Sequence, residues 1–345
     1  MRVAQIGTGR IGQLHASVLA AHPLVDELVV ADLDRSRAEQ VAAAIRASVA
    51  EVDAAIGSAD ALVIAAGTNA HPGLIRAGLA RRIPIFCEKP LALDLAESAR
   101  LVDEIEASAD PFQLGFQRRF DPAYQEARRM VVSGEIGRLY QLRMIATDHA
   151  PPPETYIPTS GGLFRDSSIH DFDAVRYLTG SEVETIYVEG AVLGFEMFGR
   201  YGDIDTAVAT MRMQDGALVS LAGGRHNPRG YDVRVELLGS ADAVAMGLGP
   251  RTPIRPLDLA PEGLNMSAGW DSFLDRFAPA YRAELTAFVD VAAGRSASAC
   301  TARDGLEAMR IAEAATRSLA ERRPVAIAEI AGVGKKEVRS DVVSR

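Results

Sequence analysis

An apolar run near the amino terminus, residues 3–6, ends in Gly7-Thr8-Gly9-Arg10-Ile11-Gly12, and helical spacing begins directly behind it. A strand that turns through G-x-G-x-x-G into a helix leaves few folds open. The first glycine permits the tight turn, the second lets backbone approach a pyrophosphate, and the third lets helix and strand pack closely, with the helix N-terminus facing the phosphates. Gly7, Gly9, Arg10, Ile11 and Gly12 are therefore candidate cofactor-binding residues. Asp32 closes the next apolar run, where an acidic side chain can take the ribose hydroxyls of a dinucleotide. A carboxylate there repels a 2′-phosphate and favours NAD, while Arg35 and Arg37 leave NADP open.

The same alternation continues to about residue 118. Strand-like runs at 3–6, 28–31, 61–65, 83–87 and 112–114 are separated by helical segments at 11–21, 36–44, 71–81 and 95–107, the last preceded by Asp94 as N-cap. Repeated βαβ units of this kind build a parallel sheet covered on both faces, with right-handed crossovers. The reading is a Rossmann domain over 1–118. Beyond Arg119 the pattern changes to a helix at 122–133, a strand at 139–147, a turn-rich stretch, and several alternating strands between 182 and 248. Helical spacing returns at 273–294 and 302–321. Residues 119–331 are thus expected to form an α+β domain with a large, mostly antiparallel sheet, and 332–345 a tail.

Composition narrows the partners. A chain of 345 residues has room for about two domains. Its net charge of −9 has the wrong sign for binding nucleic acid. No apolar run approaches a membrane span, and no charged and apolar leader precedes the first strand. Cys87 and Cys300 are too few for a disulfide framework and lack metal-binding spacing, which fits a reducing compartment, the cytoplasm. Cys87, in the run I-P-I-F-C, reads as a small buried hydrophobe and not as a nucleophile.

Two further segments carry chemistry. Open α/β sheets bind ligands beyond the carboxyl ends of their strands, so in Cys87-Glu88-Lys89-Pro90 the lysine points toward the nicotinamide end of a cofactor, with Glu88 beside it. Thr68-Asn69-Ala70-His71 faces the same crevice, which adds Thr68, Asn69 and His71 to the cofactor set, although His71 also stands where it would cap the following helix. The second segment is Gly161-Gly162-Leu163-Phe164-Arg165-Asp166-Ser167-Ser168-Ile169-His170-Asp171. On one helix Asp166 and His170, four apart, would share a face, the carboxylate orienting a histidine suited to take a hydroxyl proton. Asp166, His170 and Asp173 are the alternative metal set; no third ligand has convincing spacing, so no metal is expected.

Together these segments, with G-F-Q-R-R-F-D-P-A-Y at 115–124 and R-F-x-x-A-Y at 276–281, resemble the Gfo/Idh/MocA oxidoreductases over nearly the whole chain, and within them the inositol 2-dehydrogenases most. The resemblance implies a catalytic set of Lys89, Asp166 and His170, and substrate contacts from these and from Arg119, His149 and Tyr231. Arg119, Tyr231 and Tyr281 have bland alternatives in salt bridges or interfaces. The implied reaction is NAD-dependent oxidation of a cyclic polyol hydroxyl to a ketone, myo-inositol first. Other sugars, inositol isomers and sugar acids are the alternatives, the last through Arg118, Arg119 and Arg165. A regulatory protein without turnover, or a redox-neutral enzyme that keeps its NAD, are rival readings. The resemblance also implies pairing of the large sheets into a dimer or homotetramer.

Overall fold

The computed structural model describes residues 1–257 and 268–331, so the expected tail at 332–345 lies outside the described residues. Six strands, β1 (Arg2–Ile6), β2 (Glu27–Ala31), β3 (Ser48–Val49), β4 (Ala61–Ile64), β5 (Ile85–Glu88) and β6 (Phe112–Gly115), form a parallel sheet in the order β3-β2-β1-β4-β5-β6. The chain order reverses between β1 and β4, which opens a crevice at the carboxyl ends of these strands. Every residue of β4, β5 and β6 is buried, as helices on both faces require of a parallel sheet. The helices begin where the sequence supplies caps: Asp34 accepts from the Arg37 amide, and Asp94 from that of Glu97. β3 and the helix Val52–Gly57 are too short to show periodicity, so Lys89 follows the fifth strand and not the fourth.

Seven strands, β7 (Leu139–Thr147), β8 (Val183–Ala191), β9 (Thr206–Met213), β10 (Leu218–Gly224), β11 (Asp232–Gly239), β12 (Ala243–Met246) and β13 (Val325–Ala326), form the second sheet, ordered β12-β11-β7-β10-β9-β8-β13. All its pairs are antiparallel except β7 with β10. Alternate side chains such as Ala207, Ala209, Met211 and Met213 point to an inner face covered by the helices Ile169–Thr179 and Ala302–Glu321.

One helix crosses the expected division. A division at residue 118 assigns the helix Ala278–Ala292 to the second unit, yet its Leu285, Phe288 and Val289 pack with Val3, Val63 and Phe86 of the first sheet. The parallel sheet needs a cover on that face, and the returning chain provides it. Phe288 is fully buried with its ring 5.7 Å from that of Phe86. Phe288→Ala should therefore cost about 3–5 kcal/mol, read by chemical denaturation, and the loss should weaken NADH binding, which depends on the first sheet.

Candidate active site

The dinucleotide turn is built for close approach. Gly7 has φ +100°, and a Cβ on it would meet the Ala65 carbonyl oxygen at 2.4 Å; one on Gly12 would meet the Gly7 carbonyl oxygen at 2.3 Å. A Cβ on Gly9 would meet nothing within 4 Å, so this side of the turn is open where a phosphate would lie. Asp32 is tied down at the end of β2: Oδ2 accepts from the amide and hydroxyl of Thr8 at 2.7 and 2.8 Å, and Oδ1 from the Asp34 amide. Burial pushes the Asp32 carboxyl up, but these hydrogen bonds and Arg37 outweigh it and hold it below the ordinary value. Arg35 is engaged by Glu39 and Glu51, and Arg37 by Asp34, so both arginines that could take a 2′-phosphate already face carboxylates. These residues fit NAD.

At the carboxyl end of β5, Lys89 Nζ donates to the backbone carbonyl of Asp166 at 2.7 Å and lies 3.7 Å from its Oδ1. It is the sole lysine of the described residues, in a chain whose other cations there are arginines. The Asp166 carboxylate is saturated from two sides: Tyr156 donates its hydroxyl to Oδ1 at 2.9 Å and Arg225 its Nη1 to Oδ2 at 2.8 Å. Burial alone would raise this carboxyl; Lys89, Arg225 and Tyr156 together hold it low and ionised. Asp148 Oδ2 stands 3.7 Å from the same Arg225 nitrogen. Burial, opposed by Arg225 and reinforced by Asp166, pushes Asp148 up to about 6.

The expected Asp166–His170 partnership does not form. Residues Phe164–Ser168 make a wide π-helical turn before the α-helix Ile169–Thr179, so the four-residue spacing no longer stacks the two side chains. His170 Nδ1 is buried without a hydrogen-bond partner, and the ring rests edge-on against Phe116 at 5.8 Å. Burial, then the cations Lys89 and Arg118, hold its pKa well below 6.5. The imidazole is neutral and available as a proton acceptor.

Three other expected site residues have partners within the chain. Arg119 is drawn away from the crevice: Nη2 pairs with Asp173 at 2.6 Å and Asp304 at 3.0 Å, and Nη1 donates to the Ala299 carbonyl at 3.1 Å. That pair also removes Asp173 from any metal set. His71 is buried, Nδ1 facing the Pro90 carbonyl at 2.7 Å and Nε2 that of Ala66 at 3.1 Å, so it braces the turns after β4 and β5. Glu88 lies 2.7 Å from the buried His15. Thr68 and Asn69 stand in the turn after β4, and half-buried His149 follows β7. Tyr231 is buried edge-on to Phe277, within electrostatic range of Asp148, and Tyr281 packs beside His15 and Phe273. Both cysteines are free and buried. Arg225, Asp148 and Tyr156 were not legible as site residues; the signals were charges directly after the strands ending G-G-R and A-T-D, and an aromatic in the turn-rich stretch.

A nucleotide-binding parallel sheet joined to a second sheet across a lysine, an aspartate and a histidine defines a two-domain dinucleotide oxidoreductase. Residues 1–116 match the model of an oxidoreductase family with an NAD-binding Rossmann fold, and residues 124–245 that of the GFO/IDH/MocA C-terminal domain. The chain belongs to the Gfo/Idh/MocA family of oxidoreductases. It is 40% identical to a myo-inositol dehydrogenase of Streptomyces leeuwenhoekii over 92% of this chain and 97% of that one. It is 34% identical to a myo-inositol 2-dehydrogenase of Thermotoga maritima over 96% of this chain and 100% of that one. The scyllo-inositol dehydrogenase of Lactobacillus casei, solved with bound NAD(H) and scyllo-inositol, superposes with a TM-score of 0.86 at 26% identity, covering 95% of this chain and 99% of that one.

The Asp148 shift has a signed consequence. Its folded-state pKa is raised, so its protonated form stabilises the fold below about 3.8 and that stability is lost as pH rises through about 6. The difference in unfolding free energy between wild type and Asp148→Asn, measured by urea titration at several pH values, should therefore shift in favour of the variant between these limits and be level above them.

Proposed function

We propose that this chain oxidises a ring hydroxyl of a cyclic polyol to a ketone, with myo-inositol as the first candidate. The observation that carries the reading is the approach of Lys89, at the end of β5, to Asp166, in the π-helical turn of the second unit, with neutral His170 beside them. NAD, when bound, supplies the hydride acceptor. His170 takes the hydroxyl proton, and Lys89, a charged donor, holds the developing alkoxide oxygen. Asp166, kept ionised by Arg225 and Tyr156, fixes Lys89 and accepts from a neighbouring hydroxyl. His149 and Tyr231 supply further contacts to the ring, and Thr68 and Asn69 line the cofactor side.

Charge favours a neutral polyol over a sugar acid. An anionic substrate would require an arginine free to face it. Arg118 is paired with Asp171, Arg119 with Asp173 and Asp304, and Arg165 with Glu313, while Arg225 serves two aspartates. The free, buried thiols support a cytoplasmic location, and no helix of the described residues is long and apolar enough to cross a membrane. The outer face of the second sheet supports self-association into a dimer or tetramer: Val208 and Leu218, 53% and 47% exposed, stand among half-buried Ile145, Ala222 and Leu238. Light scattering at micromolar concentration should give more than one chain per particle, and Val208→Glu should reduce it.

The deciding experiment is NADH release in steady state across myo-inositol, scyllo-inositol, aldopyranoses and sugar acids. Turnover with NADH release excludes both a silent regulator and a redox-neutral enzyme; myo-inositol more than about tenfold worse in kcat/KM than an aldopyranose would overturn the inositol assignment. His170→Ala should lower kcat by about 10² to 10⁴ with NADH affinity little changed. Because a buried neutral base is already deprotonated at neutral pH, the acid limb of kcat/KM should lie below pH 6.5 and be absent in that variant.

A further inference from the structure

His15 stands on the helix Arg10–Ala20, which opens from the glycine turn, yet its side chain has no exposure. Its Nε2 lies 2.7 Å from Oε1 of Glu88, the residue immediately before Lys89. The ring is held edge-on to Phe86 at 5.5 Å and tilted on Tyr281 at 5.9 Å, which fixes its direction. Glu88 is confined on its other side, where β6 pairs Gly115 with it and a Cβ on that glycine would come within 3.1 Å of Oε2.

Behind this pair lies Glu284, fully buried, with neither carboxyl oxygen hydrogen-bonded. Gln113 donates to the Glu284 backbone carbonyl at 2.9 Å, and its own Oε1 is unpartnered, as is Nδ1 of His15. Burial, with Glu88 nearby, pushes the Glu284 carboxyl well above its ordinary value. Buried polar groups without partners cost free energy. Phe86, Leu285 and Phe288 already fill this core, so the polar cluster is not needed to close it. Its attachment to Glu88, the residue before Lys89, gives it a use, because a functional side chain must be held to within a fraction of an ångström by the groups behind it.

We propose that His15 is a positioning residue for Lys89: through Glu88 it ties the lysine at the end of β5 to the helix that receives the dinucleotide phosphates. The inference rests on Lys89 acting in catalysis as proposed above. The placement of Lys89 then depends on one buried hydrogen bond to the helix behind the glycine turn.

The scarcity of lysine makes the link directly readable. The full chain has three lysines, Lys89, Lys335 and Lys336. Reductive methylation with ¹³C-formaldehyde gives each an NMR signal, and Lys89→Arg assigns the one of interest. In His15→Leu and in Glu88→Gln the Lys89 signal should move and lose its response to NADH. In unlabelled protein kcat should fall about ten- to a hundredfold, while the NADH dissociation constant, read by fluorescence, changes less than about threefold. His15→Gln, whose amide nitrogen reaches Glu88 from the place of Nε2, should recover most of the loss. The double variant should be no worse than the poorer single one. An unmoved Lys89 signal in His15→Leu, or losses that multiply in the double variant, would overturn the link. If wild type oxidises no polyol or sugar, the proposed function fails, and the NMR comparison still decides whether His15 governs Lys89. Should His15→Leu not bind NADH, Glu88→Gln, which keeps the side-chain volume, is judged by the same measurements.

Discussion

A lysine that leaves the end of a buried parallel strand must find partners before it can hold a fixed position, and Lys89 finds them across the crevice, on the backbone of Asp166. That contact brings together two sheets that share no strand. Burying a charge is costly unless it is paired, so one cation at the seam requires a carboxylate, and the carboxylate then requires donors of its own. Arg225 and Tyr156 meet that need, and Asp148 answers Arg225 in turn. The site is thus a chain of dependencies that begins with one strand end.

The same rule explains why arginines beside the site do not serve it. Arg118 and Arg119 follow β6 in a buried turn and face the helix Ile169–Thr179, where Asp171 and Asp173 point back at them. Each guanidinium takes the nearest carboxylate, which locks that helix and with it His170. Removing one partner from such a pair leaves an uncompensated buried charge, which costs about 3–5 kcal/mol. Under the proposed function their contribution is indirect: they hold His170 still.

Legibility followed the physics of each feature. The glycine turn, Asp32 and the strands of the first sheet were readable because backbone approach and two-sided burial dictate residue type at fixed positions. The two-residue strand β3 had no such signature, and the membership of Ala278–Ala292 in the first core was invisible because its apolar spacing is the same whichever sheet it covers. Lys89 was legible as a strand-end cation. For Arg119 a substrate contact and a salt bridge both stayed open, and Arg225 was overlooked, because a sequence shows that an arginine is present, but not which of several carboxylates in space will claim it.

The π-helical turn at Phe164–Ser168 shows how local geometry redistributes roles within a motif. Had the helix been regular from Asp166, its carboxylate would have sat against the imidazole and favoured the charged ring, as a neighbouring anion does. The wide turn instead sends Asp166 toward Lys89, Arg225 and Tyr156 and leaves His170 against Phe116, where burial and two cations favour the neutral form. Two groups whose environments push their protonation apart suit the proton transfer proposed above: an anion that stays an anion, and a neutral imidazole able to accept a proton.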